Sequence, residues 1–178
     1  MQRLDDIVIV AAGPGDAPEL AEVHVAAWRE TYRGLLPAAY LAQMNSHLYA
    51  RRWRRQLMAA RPPEIVLAAE GRGGLVGYCA GQVRSDLAMA EVSTLYLLGG
   101  AQKLGLGRRL LSATARVLQA RGASALNLWV LKGNTPAQGF YEHLGGAITA
   151  ERPVRGWGGG YTEIAYLWRD IDRLARAG

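Results

Sequence analysis

Apolar side chains recur at two periods along this chain, and the switches between the periods lay out its elements. Leu20, Val23, Ala27 and Trp28 fall on one face of a helix, with His24 beside them as a packed residue rather than a ligand. Asp16-Ala17-Pro18-Glu19 has the form of a capping box that starts this helix, and Gly34 stops it. A short apolar run at 7–12 reads as the strand before it, closed by Gly13-Pro14-Gly15. Pro37 is expected to open a short helix through Leu41, and a third runs over 46–60 until Arg61-Pro62-Pro63 breaks it. Strands at 65–70 and 75–84 are joined by a tight glycine hairpin, and a turn at 85–89 leads into the strand 90–98. The next helix stacks Leu106, Leu110, Leu111, Thr114, Val117 and Leu118 along one stripe and closes at Gly122. A strand at 125–130, a helix at 134–144, strands at 147–153 and 161–168 and a short basic helix complete the order.

Composition narrows this layout without changing it. With 178 residues, half of them apolar, the chain suits one domain over 1–178 with a full core. It contains no apolar run of membrane-spanning length and starts without the apolar segment of a secretory signal. Cys79 is the only cysteine, so no intrachain disulfide can form; it reads as a small buried hydrophobe, and a cytoplasmic location is expected. The net charge of +6 and Arg51-Arg52-Trp53-Arg54-Arg55 raise nucleic acid as a partner. On a helix, however, those arginines surround Trp53 as a solvated face, and zinc-ligand spacing, RNA-binding aromatics and a basic arm are all missing from the sequence. The expectation is no nucleic acid, no membrane and no metal, with a homodimer left open.

Chemistry enters at Leu95 to Leu111. A buried strand runs into Gly99-Gly100-Ala101-Gln102-Lys103-Leu104-Gly105-Leu106-Gly107, and a helix starts at the glycines. Free N–H groups of a first helical turn, approachable where no Cβ stands, suit an anion. A nucleotide-kinase loop needs Gly-Lys-Ser/Thr where Leu106-Gly107 follow Gly105, and a dinucleotide fingerprint needs a small residue at Leu110 and an acid about 20 residues on, where Ala, Leu and Asn stand. Taken alone, the glycine pair reads equally well as a plain strand-to-helix turn.

Gln102-x-x-Gly105-x-Gly107 resembles the pyrophosphate loop of the GCN5-related N-acetyltransferases, and Asn134-x-x-Ala137-x-x-Phe140-Tyr141-Glu142-x-x-Gly145 resembles the downstream segment of that family, one helix and one strand later. The resemblance spans 7–168. It implies a mixed, mostly antiparallel sheet with helices on both faces and a splayed central parallel strand pair. Acetyl-CoA would be the co-substrate, its pyrophosphate on Gln102, Lys103, Leu104, Gly105, Leu106, Gly107 and Arg108. Its pantetheine would lie along the backbone of Leu95, Tyr96 and Leu97, in a form of strand addition, near Asn134 and Ala137. Asn134 suits a helix N-cap equally well. The implied activity is N-acetylation of a primary amine on a small molecule by direct attack on the thioester; a non-catalytic acyl-CoA sensor, or transfer to a protein N-terminus or lysine, are the alternatives.

By the same resemblance Tyr141 protonates the departing thiolate, or else only packs against the cofactor. Glu91 takes the proton of the amine, or else is a strand-end carboxylate paired with an arginine. Asp86 and Glu163 are weaker candidates, and a backbone N–H near Leu97 would hold the oxyanion. The acceptor is expected beside Trp28, Arg29, Tyr32, Arg33, Tyr40 and the glycine-rich loop 155–160, with Arg29 and Arg33 one helical turn apart and suited to an amine bearing a carboxylate. Three positions depart from the family pattern: Lys103 where glycine is frequent, Gly99 where proline is frequent, and Gly146 in place of an aromatic.

Overall fold

Strand-forming runs of Val, Ile, Leu and Ala assemble into one seven-stranded sheet in the computed structural model, which describes residues 6–59, 64–84, 88–154, 157 and 159–178. The strands are β1 (Val8–Ala11), β2 (Ile65–Gly71), β3 (Gly74–Arg84), β4 (Met89–Leu97), β5 (Ala125–Leu131), β6 (Ala147–Val154) and β7 (Tyr161–Trp168), in the order β1-β2-β3-β4-β5-β7-β6. The helices are α1 (Ala17–Thr31), α2 (Ala38–Gln43), α3 (Ser46–Leu57), α4 (Leu106–Ala120), α5 (Thr135–His143) and α6 (Ile171–Ala175). Every strand pairing is antiparallel except β4–β5, which α4 connects as a crossover must. The expected fold, with its central parallel pair, is therefore present.

Period-2 alternation sends the side chains of the central strands to two different cores, while β6 at the sheet edge stays almost wholly exposed. On one face Leu106, Leu110, Leu111 and Leu118 of α4 pack on Ala90, Val92, Leu126 and Leu128, with Ile171 and Leu174 of α6 beside them. On the other, Leu20 and Val23 of α1 and Trp53 of α3 cover Val66, Ala68, Tyr78 and Ala80. Trp53 is buried while Arg51, Arg52, Arg54 and Arg55 are exposed, as a solvated face requires. Cys79 is fully buried, and burial pushes its thiol up to about 12. None of the described helices is long and apolar enough to cross a membrane.

The capping box does not form. Asp16 ends a 3-10 turn (Pro14–Asp16) and accepts from the Gly13 N–H at 2.7 Å, while Glu19 accepts from the Leu75 N–H at 2.8 Å and ties α1 to the β2–β3 hairpin. Tertiary partners have taken both carboxylates.

His24 is a packed residue, as its helical spacing implies. Its Nδ1 lies 2.6 Å from the Tyr78 hydroxyl and its ring stacks on Trp28. Burial, then the charge of Arg52, lowers its pKa from 6.5 to about 4. The unfolded chain binds this proton more readily, so the contribution of neutral His24 is complete above pH 6.5 and is lost as pH falls toward 4, a change of about 3 kcal/mol by linkage. Urea unfolding at neutral pH and near pH 4.5 is expected to show this loss, and His24→Phe to reduce it; equal pH dependence in both proteins would contradict the assignment.

Gly146 has a specific cause. A Cβ there would lie 2.7 and 2.9 Å from the Trp168 ring and 3.0 Å from the Tyr141 carbonyl oxygen, and the Trp168 indole N–H donates to the Leu144 carbonyl oxygen at 2.9 Å. Trp168 thus fills the space beside α5 where an aromatic from position 146 would otherwise pack. Gly146→Phe is expected to destabilise the fold by about 3 kcal/mol through overpacking. Adding Trp168→Ala should cost much less than the sum of the single changes; strict additivity in thermal unfolding would overturn this account.

Candidate active site

Pairing between β4 and β5 runs from Met89↔Ala125 to Val92↔Leu128 and then stops, although β4 continues to Leu97 and β5 to Leu131. The cause lies on the other edge of β4. Opposite β3, Val92 pairs with Gly81 and Thr94 with Ala80, leaving Ser93 as an extra residue whose hydroxyl donates to the Ala80 carbonyl oxygen. Such a bulge bends and twists the strand. The Leu98 N–H still donates to Val76 on the β3 side, so by alternation the backbone groups of Leu95 and Leu97 face the gap. The result is a cleft of about 990 Å³, at the upper end of the range for small-ligand sites.

At its head the chain makes a 3-10 turn (Gly99–Ala101) and passes through two left-handed residues, Lys103 at φ +61° and Gly105 at φ +80°, before α4 begins. The first backbone bond of α4 runs from the Arg109 N–H to the Gly105 carbonyl oxygen, so the N–H groups of Leu106, Gly107 and Arg108 have no intrahelical acceptor. Gly105, Gly107, Lys103 and Arg108 line the cleft. The two glycines serve different ends. A Cβ on Gly105 would meet nothing within 4 Å, so its space is open to a ligand; a Cβ on Gly107 would make ordinary packing contact with Phe140 at 3.4 Å and Leu97 at 3.5 Å, so its surroundings are already filled by protein. Gln102 also borders the cleft, but its side-chain amide donates to the Leu97 carbonyl oxygen at 3.1 Å and braces the loop. The side chains of Leu104, exposed, and Leu106, fully buried, do not line the cleft, so these residues can offer only backbone.

Gly99 acquires a role that its sequence departure conceals. Its N–H donates to Glu30 at 2.9 Å, tying the end of α1 to the loop, a bond that proline could not make.

Along the other wall, Asn134 is the N-cap of α5, its Oδ1 accepting from the Ala137 N–H at 3.4 Å, and both residues border the cleft. Tyr141 faces the same space while its ring packs against Tyr166 and Trp168. Burial is the main cause that raises its phenol well above the ordinary value, so it stays protonated and remains a donor across the neutral range.

The remaining candidates separate. Tyr32 and Arg33 line the cleft beside Tyr96, with the Tyr32 and Tyr96 hydroxyls 3.2 Å apart. Arg29 donates to the carbonyl oxygens of Leu41 and Met44 at 3.2 and 3.0 Å, so that its guanidinium satisfies the end of α2, and it is not among the residues that line the cleft. Trp28 packs among Tyr32, Tyr40, Tyr96 and Trp157, outside the cleft lining. Glu91 pairs with Arg84 at 3.7 Å and does not line the cleft either. Glu163 lies opposite Leu131 and forms an ion pair with Arg152, whose guanidinium covers the Trp129 ring at 3.8 Å. Asp86 and, within the glycine-rich loop, residues 155, 156 and 158 lie outside the described residues. No group of three or more potential metal ligands occurs among the described residues.

A parted parallel strand pair, an amide-lined helix start and a tyrosine in the facing helix form a geometry found in a known family. The profile of the acetyltransferase (GNAT) family matches residues 17–146. The chain belongs to this family. It is 29% identical over 162 residues to the uncharacterized N-acetyltransferase YuaI of Bacillus subtilis (strain 168), covering 89% of this chain and 91% of that one. Among solved structures, it is similar to the PaiA N-acetyltransferase from Thermoplasma acidophilum in complex with coenzyme A, at a TM-score of 0.76 and 20% identity over 90% of this chain and 97% of the other. It is also similar to yncA from Salmonella typhimurium with its cofactor acetyl-CoA, at a TM-score of 0.70 and 18% identity over 93% and 94% of the two chains. By family this GNAT protein is an N-acetyltransferase, with the fold that accommodates coenzyme A in these neighbours.

Proposed function

We propose that this GNAT protein binds acetyl-CoA in the β4–β5 gap and transfers the acetyl group to the primary amine of a small molecule. The observation that carries this reading is the continuity of the unpaired β4 edge, Leu95 to Leu97, with the free amides of Leu106 to Arg108. A pantetheine arm can add to that edge as a strand would, and its pyrophosphate then meets the helix start, with Lys103 and Arg108 adding positive charge. Coenzyme A bound to PaiA and acetyl-CoA bound to yncA support the choice of ligand.

In this reading the amine nitrogen attacks the thioester carbonyl carbon. The carbon–nitrogen bond forms, and the Leu97 N–H, which faces the gap, stabilises the oxyanion. The carbon–sulfur bond then breaks, and the Tyr141 hydroxyl gives its proton to the departing thiolate. The nitrogen sheds its proton to water in the cleft, and that water returns a proton to the Tyr141 oxygen, which closes the cycle; any share Glu91 takes passes through such water, since its carboxylate is held by Arg84.

Incubation with acetyl-CoA and a panel of small primary amines, read by thiol release, is expected to show amine-dependent turnover. Acetyl-CoA binding without turnover on any amine would move the protein to the sensor reading. Turnover confined to peptides would move it to protein acetylation.

A further inference from the structure

Outside the cleft, α3 presents an arginine face with an apolar recess beside it, and we infer that the two together dock an acidic segment of a partner protein. Its carboxylates would meet Arg51, Arg52 and Arg55, and one apolar side chain would enter the recess. At about 100° per residue, Leu48, Arg51, Arg55 and Met58 fall on one stripe of the helix, with Arg52 and Arg54 flanking it. Trp53 turns the other way into the core, which leaves all four arginines exposed. None of them forms an ion pair with a described residue, and Glu64, which reaches α3, is taken by the Gln56 side-chain amide at 2.6 Å. Leu48, 64% exposed, and Met58, 67% exposed, are the most exposed large hydrophobic side chains among the described residues, and both stand among these charges. Apolar surface rimmed by charge has the composition of an interaction site.

The recess, of about 380 Å³, lies between α2 and α3 and runs from buried Met44 to exposed Leu48, with Tyr40, Tyr49 and Arg52 around it. It is preformed. Arg29 fixes the end of α2 through the Leu41 and Met44 carbonyl oxygens, Asn45 caps α3 by accepting from the His47 N–H at 2.9 Å, and the Tyr49 ring packs against His24 with centroids 4.4 Å apart. Little ordering is therefore needed on this side when a partner binds. Charge complementarity selects the occupant. Guanidinium forks pair bidentately with carboxylates, and no acid stands among the described residues that line the recess. A flat bilayer would leave the recess unfilled. Single-stranded nucleic acid needs free ring faces for its bases, whereas Tyr40 and Tyr49 are engaged by Trp157 and His24. A peptide satisfies both parts of the surface, because an apolar side chain seated against Met44 and Leu48 brings the carboxylates beside it to Arg52 and then along the stripe.

The probe is an N-acetylated peptide of glutamates around one central phenylalanine, which has no amine to accept an acetyl group, titrated calorimetrically at low salt with and without coenzyme A. Saturable binding is expected, equal in the two cases and weakened by salt. Serine in place of the phenylalanine should weaken it about fivefold, Leu48→Ser in the protein should do the same, and Arg51→Glu with Arg55→Glu should weaken it at least about tenfold. Arg121→Glu with Arg173→Glu makes the same change in net charge among exposed arginines on the α4–α6 side of the sheet, and should alter peptide affinity less than about twofold. Thermal unfolding should stay at the wild-type temperature in every variant. No binding at millimolar peptide, displacement of the peptide by coenzyme A, or equal losses in the two charge-reversed proteins would overturn the inference. So would tighter binding of an oligouridylate or of phosphatidylserine vesicles than of the peptide, or a dimer in sedimentation that Arg51→Glu with Arg55→Glu dissociates, since the face would then belong to another occupant.

Discussion

Gly105→Val is expected to raise the Kd for acetyl-CoA by at least about 100-fold, some 2.7 kcal/mol, while leaving a folded protein. Two physical effects separate here. Gly105 has φ +80°, where a β-branched residue is strained, so stability should fall by about 1–2 kcal/mol. The protein itself has room for the new side chain, because a Cβ there meets nothing within 4 Å. That room lies at the start of α4, beside the free N–H groups of Leu106 to Arg108, and valine would fill it in place of the pyrophosphate. Thermal unfolding reads the first effect and calorimetry the second. A folded variant with wild-type affinity would remove this loop from the cofactor site.

Tyr141→Phe should lower kcat by about 100-fold with little change in acetyl-CoA affinity. Phenylalanine keeps the packing against Tyr166 and Trp168 and removes only the hydroxyl. Because burial raises the Tyr141 phenol, it holds its proton well into the alkaline range, so loss of this acid should not cause the wild-type rate to fall between neutral pH and pH 10. A variant as fast as wild type on a good amine would reduce Tyr141 to a packing role.

What the sequence revealed, and what it hid, follows from where each interaction resides. Strands and helices were legible because apolar period decides which face is buried, and β7 lies at 161–168 as the pattern implies. The glycine loop before α4 was legible because glycines and backbone amides act locally, within a dozen residues. The fates of Asp16 and Glu19 were not, since Gly13 and the distant Leu75 compete for the same carboxylates. The hydrogen bonds of Arg29 were hidden for the same reason: its spacing from Arg33 says nothing of the carbonyl oxygens at the end of α2 that fold against it. The strand parting depends on the extra residue at Ser93, and nothing in an apolar strand announces a bulge. Glu163 comes to lie opposite Leu131 only through the β5–β7 pairing, which brings together residues far apart in sequence. Gly99 and Gly146 stood out as departures, yet their partners, Glu30 and Trp168, could be named only from the fold.

Titration of the wild-type protein with acetyl-CoA in a calorimeter, with thermal unfolding followed in parallel, tests the central claim most directly. Saturable binding at one site per chain is predicted, with affinity that weakens as salt screens Lys103 and Arg108, together with a rise in unfolding temperature as the ligand is added. A folded protein that gives neither binding heat nor a shift in unfolding temperature at millimolar acetyl-CoA would contradict it.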